Sequence, residues 1–218
     1  MISVASVISV VIILLSSAIV SSAASTRIVA MGDSTTAGTP GFQSPVEAPP
    51  DGRGDQTSQY AYWLMKAHAD WEVLNRGVNG ERSDQIRARF ERDVIRSAPK
   101  AVVIIAGVND VYQGRSVAHV AEQLRAMYAR AAQAGIRIVA GSIIPYNTAT
   151  PDQNARMRDI NAWIQDQPGI VFVDTRAAAA APDNADRLFE SPDGLHPTAA
   201  GYRRMAEAIQ PALERALR

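Results

Sequence analysis

A serine, a histidine and an aspartate stand where they could carry out nucleophilic catalysis. Ser34 stands three residues after a short apolar run that ends at Met31, and Asp193 precedes His196 by three residues near the other end of the chain. A serine hydroxyl becomes an effective nucleophile when a neighbouring base takes its proton. Of the three histidines, His68 falls at the end of a predicted helix and His119 lies within a helical pattern. His196 is therefore the candidate base, and Asp193 is the group that would fix its tautomer.

Attack on a carbonyl builds negative charge on its oxygen, so the same site needs hydrogen-bond donors. Suitable donors are the backbone N–H groups of Ser34 and Gly80 and the side-chain amide of Asn109. Taken singly, each of these residues has a purely structural explanation, because serine and asparagine often cap helices and the pair Asn79-Gly80 is a common turn. Taken together, they predict one site if the fold brings them to one edge.

Alternating strand and helix patterns predict how that edge is built. The predicted strands are Arg27–Met31, Glu72–Asn75, Ala101–Ala106, Arg137–Ser142 and Ile170–Asp174. The predicted helices are Gln59–Ala69, Ser83–Ser97, Val117–Ala134, Asn154–Gln165 and Thr198–Leu217. Several strands are nearly continuous in apolar residues, as in a parallel sheet covered on both faces. The sequence therefore predicts an α/β fold with a doubly wound sheet, whose ligands bind beyond the carboxyl ends of the strands.

Four short segments resemble the motif blocks of GDSL/SGNH hydrolases, and they occur in that family's order. They are Gly32-Asp33-Ser34, Gly80, Gly107-Val108-Asn109-Asp110 and Asp193-Gly194-Leu195-His196-Pro197. The resemblance implies a three-layer α/β/α, flavodoxin-like domain with a five-stranded parallel sheet. It also implies Ser34 as nucleophile, His196 with Asp193 as base, and Gly80 and Asn109 as oxyanion donors. Thr35 stands where the family name has leucine, at a position that only packs near the nucleophile.

Composition narrows the classes of function. Lys+Arg and Asp+Glu both number 22, so the formal charge is zero and nothing favours binding to nucleic acid. The chain has no cysteine, which excludes disulfides, a thiolate nucleophile and a cysteine-based zinc site. A metal site built on Asp193 and His196 is disfavoured because the other two histidines are scattered. We therefore predict neither a metal nor an organic cofactor.

The first 24 residues differ sharply from the rest of the chain. Residues 2–20 carry no charged side chain and are rich in Val, Ile and Leu, and the small residues Ser21-Ser22-Ala23-Ala24 follow. This pattern predicts a signal peptide over residues 1–24 and a secreted or periplasmic single domain over residues 25–218. The apolar run is also long enough for a retained anchor, and only then would the protein contact a membrane.

Two irregular stretches and three side chains are candidates for the substrate pocket. Residues 37–57, rich in Pro and Gly, follow the nucleophile and are predicted either to border the pocket or to form a surface loop. Residues 176–192 precede the histidine segment and could form the opposite wall. Asp33, Tyr112 and Tyr146 fall near strand ends and are expected to contact the substrate.

The residues and the resemblance together predict an exported serine esterase that hydrolyses carboxylic esters through an acyl-enzyme. The expected substrate is a small-molecule, lipid or carbohydrate ester. A carbohydrate O-deacetylase, a lysophospholipase or a thioesterase could use the same residues and differ in the groove beside them. Outside enzymes, the alternative is a ligand-binding protein on an inactive hydrolase scaffold, and the complete set of site residues argues against it.

Overall fold

The computed structural model describes residues 25–218, so the predicted signal peptide lies outside the described residues. The strands of this part are β1 Thr26–Gly32, β2 Phe42–Gln43, β3 Arg53–Gly54, β4 Trp71–Gly77, β5 Ala101–Ile105, β6 Arg137–Gly141, β7 Val171–Val173, β8 Ala180–Ala181 and β9 Asn184–Leu188. Its helices are α1 Ser34–Ala37, α2 Tyr60–Ala67, α3 Ser83–Ala88, α4 Phe90–Asp93, α5 Val108–Tyr112, α6 Val117–Gln133, α7 Pro151–Gln165, α8 Thr175–Ala179 and α9 Ala199–Leu217. Two short 3-10 helices cover Gln56–Ser58 and Ile95–Ser97.

Five strands form one parallel sheet in the order β4-β1-β5-β6-β7, which confirms the predicted doubly wound α/β fold. The register pairs Gly32 at the end of β1 with Gly77 of β4 and with Ile105 of β5. The carboxyl ends of these three strands are therefore level. The chain moves to one side of β1 and then crosses to the other, so a topological switch point lies between β1 and β5, where such sheets bind ligands.

Side chains of the central strands alternate between two apolar layers, one on each face of the sheet. Ile28 and Ala30 of β1 pack into the layer closed by α2 and α9. Val29 and Met31 pack into the layer closed by α3, α4, α6 and α7. This alternation follows from the two-residue period of a strand and gives the three-layer α/β/α arrangement. Across residues 25–218, no helix combines the length and the apolar character needed to cross a bilayer.

The bounds of several predicted elements differ from those of the structure. The predicted helix Ser83–Ser97 is divided, because α3 ends at Ala88, α4 begins at Phe90 and a 3-10 turn follows. Helix α7 begins at Pro151, before the predicted start at Asn154, because Thr150 caps it and proline suits the first helical position. Residues 37–57 contain the antiparallel pair β2–β3, and residues 176–192 contain β8–β9.

Candidate active site

The candidate nucleophile lies in a tight, buried turn at the end of β1. Ser34 is the first residue of α1, and the side chain of Asp33 caps this helix by accepting a hydrogen bond from Thr35 N at 2.9 Å. Gly32 is needed here because an added Cβ would lie 2.2 Å from Thr36 Oγ1. Ser34 is 7% exposed, whereas Thr35 and Thr36 are almost fully buried. The turn thus leaves only a small part of Ser34 exposed and holds it on a closely packed support.

The loop between β9 and α9 places His196 and Asp193 beside this hydroxyl. His196 Nε2 lies 2.9 Å from Ser34 Oγ, and His196 Nδ1 lies 2.7 Å from Asp193 Oδ2. The other carboxylate oxygen, Oδ1, accepts the backbone N–H groups of Leu195 and His196, each at 2.9 Å. Because these bonds fix the carboxylate, His196 donates from Nδ1 and offers Nε2 to the serine. The structure therefore brings together the three residues that the sequence singled out.

The electrostatic environment keeps the carboxylate of Asp193 charged. Partial burial acts to raise its pKa, but hydrogen bonds from the His196 side chain and from the Leu195 and His196 backbone outweigh burial and lower the pKa to about 2. Asp193 is therefore ionised wherever a histidine would accept a proton. A charged carboxylate at this position stabilises an imidazolium beside it.

Gly80 and Asn109 reach the same edge from β4 and β5. Gly80 has φ +73°, and a Cβ added there would meet nothing within 4 Å, so backbone conformation rather than crowding accounts for the glycine. Asn109 Nδ2 donates to the backbone oxygen of Glu81 at 2.9 Å. An amide nitrogen carries two hydrogens, so this bond orients the group and leaves a second N–H for a ligand.

These residues surround a pocket of about 260 Å³ that opens over the serine. Its lining consists of Ser34, Thr35, Asn79, Gly80, Val108, Asn109, Tyr112, Tyr146, Leu195 and His196. Among residues 25–218, no Lys, Arg, Asp or Glu lines it, so the wall suits an uncharged ligand. Tyr112 is 57% exposed, whereas Tyr146 is buried. Their rings pack edge-on, with 6.0 Å between the ring centroids. Both tyrosines thus line the pocket, and their contact with a substrate stays a prediction.

Asp33 and the two irregular stretches do not line this pocket. Asp33 was predicted to contact the substrate. In the structure it is 1% exposed, and its side chain caps α1. Residues 37–57 support the pocket indirectly, through a residue that lines it. The carboxylate of Glu47 accepts hydrogen bonds from the backbone and side-chain N–H groups of Asn79, at 2.9 and 2.8 Å. Residues 176–192 fold into part of α8, β8 and β9 and do not form the opposite wall.

The carboxyl group of Asp33 is unusual in its protonation. Burial raises its pKa from 3.8 to about 7, against hydrogen bonds from Thr35 and the positive charge of Arg89, while Asp110 adds to the increase. One oxygen, Oδ2, has no hydrogen-bond partner. The residue next to the nucleophile therefore changes charge near neutral pH.

Two charged residues that sequence reasoning missed support the site from outside the pocket. Glu47 holds Asn79, next to Gly80, and the nearly buried guanidinium of Arg89 donates to Gly32 O at 2.8 Å. Both are charged residues in patterns that normally lie at the surface. Only the break between α3 and α4 marks Arg89 as special, and no local sequence pattern predicted that break.

The other two histidines lie away from the serine. His68 stacks on Trp71 at 3.9 Å between ring centroids, and its Nε2 lies 3.0 Å from Glu214 Oε1. The side chain of His119 is 31% exposed, and its Nε2 is buried without a hydrogen-bond partner. Neither histidine lines the pocket.

Among the described residues, His119 also belongs to a group whose ligand atoms are close enough for a metal ion, together with Asp84 and Asp110. Both carboxylates already have partners in the protein. Asp84 accepts two hydrogen bonds from Arg82, and Asp110 accepts the backbone N–H and the hydroxyl of Ser83. This group therefore serves first to hold the start of α3.

Comparisons with known proteins identify the family and the fold. Residues 30–204 match the model of the GDSL-like lipase/acylhydrolase family. An acetylxylan esterase from Geobacillus stearothermophilus is 27% identical in an alignment 156 residues long that covers 63% of this chain and 69% of that protein. A GDSL-like lipase from Bacteroides thetaiotaomicron gives a TM-score of 0.70 at 26% identity, covering 88% of this chain and 89% of that one. A member of the lipolytic G-D-S-L family from Veillonella parvula gives 0.72 at 17% identity, covering 87% and 98%.

The family match runs from within β1 into α9 and includes every candidate site residue from Ser34 to His196. The five-stranded sheet agrees with the fold of the structural neighbours. The chain belongs to the GDSL-like lipase/acylhydrolase family, a family of esterases and acylhydrolases.

Proposed function

We propose that this protein is a serine esterase that hydrolyses carboxylic esters through a covalent acyl-enzyme. Ser34 Oγ attacks the carbonyl carbon while His196 Nε2 takes the hydroxyl proton and Asp193 stabilises the imidazolium. Collapse of the tetrahedral intermediate breaks the ester C–O bond, and His196 gives the proton to the leaving alcohol. Water, deprotonated by the same nitrogen, then attacks the acyl group, and the acid leaves as the serine regains its proton.

The tetrahedral oxyanion would be held by the backbone N–H groups of Ser34 and Gly80 and by the free N–H of Asn109. Backbone donors on strand-end loops need little rearrangement as charge develops, which is what makes such donors effective. The absence of charged side chains among the described lining residues fits a substrate that is neutral around its ester.

One observation carries the proposal: the hydrogen-bonded line from Asp193 through His196 ends at Ser34, which lines the pocket. Its two links, 2.7 and 2.9 Å, have the geometry that proton transfer requires. A ligand-binding scaffold without chemistry would have no need for this alignment.

Replacement of the nucleophile tests the mechanism. In Ser34→Ala, kcat for hydrolysis of 4-nitrophenyl acetate should fall about 10⁴-fold or more. The rate that is left would come only from the oxyanion donors and from substrate binding. Labelling by a fluorophosphonate should disappear in the same variant. Ser116→Ala, which changes a serine that caps α6, is the matched control and should keep both activity and labelling. A folded parent protein that does not label would favour the ligand-binding alternative.

A carbohydrate deacetylase is the second candidate within this mechanism. The pocket volume of about 260 Å³ lies near the lower end of the usual range for ligand pockets, which fits a short acyl group. The acetylxylan esterase relative supports the same choice. The exposed ring of Tyr112 at the rim offers an apolar face for a bulky alcohol such as a sugar.

A substrate series separates these candidates. For a deacetylase, kcat/KM should be highest for acetyl esters and should decrease along nitrophenyl esters of two to twelve carbons. Acetylated xylo-oligosaccharides should then be deacetylated, as measured by released acetate. A rate that increases with chain length would favour the lysophospholipase or thioesterase alternative.

We also propose that residues 1–24 are an export signal and that residues 25–218 form the mature domain. The uncharged apolar run followed by small residues supports this assignment. Mass spectrometry of the exported protein should give an N-terminus at Ser25. A mature protein that keeps Met1 would favour the retained anchor.

A further inference from the structure

A single buried guanidinium joins the two loops that carry the nucleophile and the candidate oxyanion donors. Arg89 lies between α3 and α4, and its side chain is 7% exposed. Its Nη2 donates to Gly32 O at 2.8 Å, on the peptide that precedes the nucleophile turn. Its Nη1 donates to Arg76 O at 2.7 Å, near the end of β4 and ahead of Gly80. The two strand ends are thus tied to one planar group.

The Nε atom of Arg89 is linked to Asn109 through Glu81. Arg89 Nε donates to Glu81 Oε2 at 2.6 Å, and the backbone oxygen of Glu81 accepts the bond from Asn109 Nδ2 at 2.9 Å. The Glu81 side chain is 18% exposed, so this ion pair is largely shielded from water. A displacement of Glu81 would therefore turn the Asn109 amide and shift the neighbouring Gly80.

We infer that Arg89 is a positioning residue for the esterase reaction, which sets the distance between Ser34 and the oxyanion donors Gly80 and Asn109. The inference rests on the proposed function. Arg89 does not line the pocket, so it touches no substrate. Its charge is balanced by Glu81 and by Asp93, whose Oδ2 lies 2.8 Å from Nη1, so its contribution is geometric rather than a direct field on the oxyanion.

Lysine cannot replace this group, because an ammonium is a single point of charge and a guanidinium is a planar fork with five N–H donors. In Arg89→Lys, kcat for 4-nitrophenyl acetate should fall roughly 10–100-fold while KM changes less than about threefold, since misplacement weakens transition-state stabilisation more than substrate binding. When kcat is expressed per folded enzyme, with the folded fraction measured by circular dichroism, a fall in kcat at a nearly unchanged KM is a readout that a loss of stability alone would not produce.

Arg176 provides a matched control. It is also a buried arginine, and it binds Asn154 at 2.9 Å and Asp186 at 2.7 Å away from the pocket. Arg176→Lys should lower the melting temperature as Arg89→Lys does, yet keep kcat within about threefold of the parent. Equal losses of kcat in the two variants would overturn the inference.

A double-mutant cycle tests whether Arg89 acts through Asn109. Asn109→Ala alone should lower kcat about 10²–10³-fold. Combined with Arg89→Lys, the total loss of kcat should be clearly smaller than the product of the two single losses, because part of the Arg89 effect acts through Asn109 and residues that act as a unit are not additive. A double variant whose loss of kcat equals the product of the two single losses would overturn the inference.

A milder substitution keeps the test valid if Arg89→Lys does not fold. Glu81→Gln leaves the backbone oxygen that holds Asn109 and weakens only the ion pair with Arg89, so kcat should fall roughly three- to tenfold, again without adding to Asn109→Ala. An unchanged kcat in Glu81→Gln would count against the inference.

The variants also separate failure of this inference from failure of the proposed function. If Ser34→Ala and Asn109→Ala keep full activity, the proposed function fails. If these two variants lose activity and the Arg89 and Glu81 variants do not, only this inference fails.

Discussion

Ser34 stands on a turn in which Asp33, Thr35 and Thr36 are each at most 2% exposed, whereas none of residues 189–196, the loop that holds His196, is buried. The turn that carries Ser34, which we call the nucleophile half of the site, is held in place by the sheet, by close packing and by buried charge. The loop of residues 189–196, which we call the base half, is held in place by hydrogen bonds within the loop, chiefly those to Asp193 Oδ1. One site is thus assembled from a rigid support and a local, largely exposed one.

The aspartate in each half shows the same difference through its protonation. Burial raises the pKa of Asp33 to about 7, and one of its oxygens has no partner. Partial burial also acts to raise the pKa of Asp193, but hydrogen bonds from His196 and from two backbone N–H groups lower it to about 2. The fold tolerates a poorly solvated acid beside the nucleophile, while the exposed loop keeps its acid fully charged.

The largest expected effect in the exposed half comes from Asp193→Asn. Two backbone N–H groups hold the Oδ1 position, so the amide oxygen takes that place and the amide nitrogen faces His196 Nδ1. His196 then accepts at Nδ1 and carries its proton on Nε2, which is the wrong tautomer for taking the proton of Ser34. We expect kcat for 4-nitrophenyl acetate to fall about 10⁴-fold.

Another carboxylate–histidine pair serves as the control for this substitution. Glu214 lies 3.0 Å from His68 and away from the pocket. Glu214→Gln should keep kcat within about twofold. A loss below about tenfold in Asp193→Asn would mean that the loop holds His196 without its carboxylate, and that the local support is more rigid than its hydrogen bonds indicate.

The base half could be predicted from sequence because its geometry is local. Asp193 and His196 are three residues apart, and the hydrogen bonds that fix them lie within the same loop. The positions of the five main strands also followed from apolar runs, since a parallel sheet buries both faces. Local periodicity therefore predicted most of the fold, whereas Ser34, Gly80 and Asn109 were chosen for their residue types at strand ends and for their resemblance to the family's motif blocks.

The support of the nucleophile half could not be predicted, because it depends on contacts between distant segments. Arg89 reaches Gly32 across 57 residues, and Glu47 reaches Asn79 across 32. Asp33 adjoins the nucleophile in sequence, which suggested substrate contact, but its side chain turns into the core to cap α1. Charged residues in such roles resemble surface residues until the tertiary structure is known.

A smaller effect is expected from Glu47→Gln, which tests the support of the Gly80 loop. The carboxylate accepts hydrogen bonds from Asn79 N and Nδ2, and an amide at this position replaces one acceptor oxygen by a donor. We expect kcat/KM to fall roughly three- to tenfold, since charge-assisted bonds to a backbone N–H are moderately strong. Glu122→Gln changes an exposed residue of α6 and should have no effect on steady-state hydrolysis. A larger loss than in the Arg89 variants would make the Glu47 contact the main support.

The last test concerns stability, and it uses the protonation of Asp33. Its folded pKa of about 7 exceeds the ordinary 3.8, so between about pH 4 and 7 the folded state binds more protons than the unfolded state. Its contribution to the free energy of unfolding is therefore favourable below pH 4 and decreases as pH rises, by up to about 1.4 kcal/mol per pH unit. Asp33→Asn removes this titration and keeps an acceptor for Thr35 N.

Urea denaturation at pH 5 and pH 7 measures the difference. The variant should gain stability relative to the parent as pH rises from 5 to 7, whereas Asp159→Asn, at an exposed position on α7, should show no such change. Asp193 does not obscure the result, because its lowered pKa places its titration between about pH 2 and 4, where its stabilising effect is lost as pH falls. A parallel pH dependence of parent and Asp33→Asn would mean that Asp33 is charged in the folded protein. The buried charge of Arg89 would then compensate it, and the two halves of the site would differ in burial but not in electrostatics.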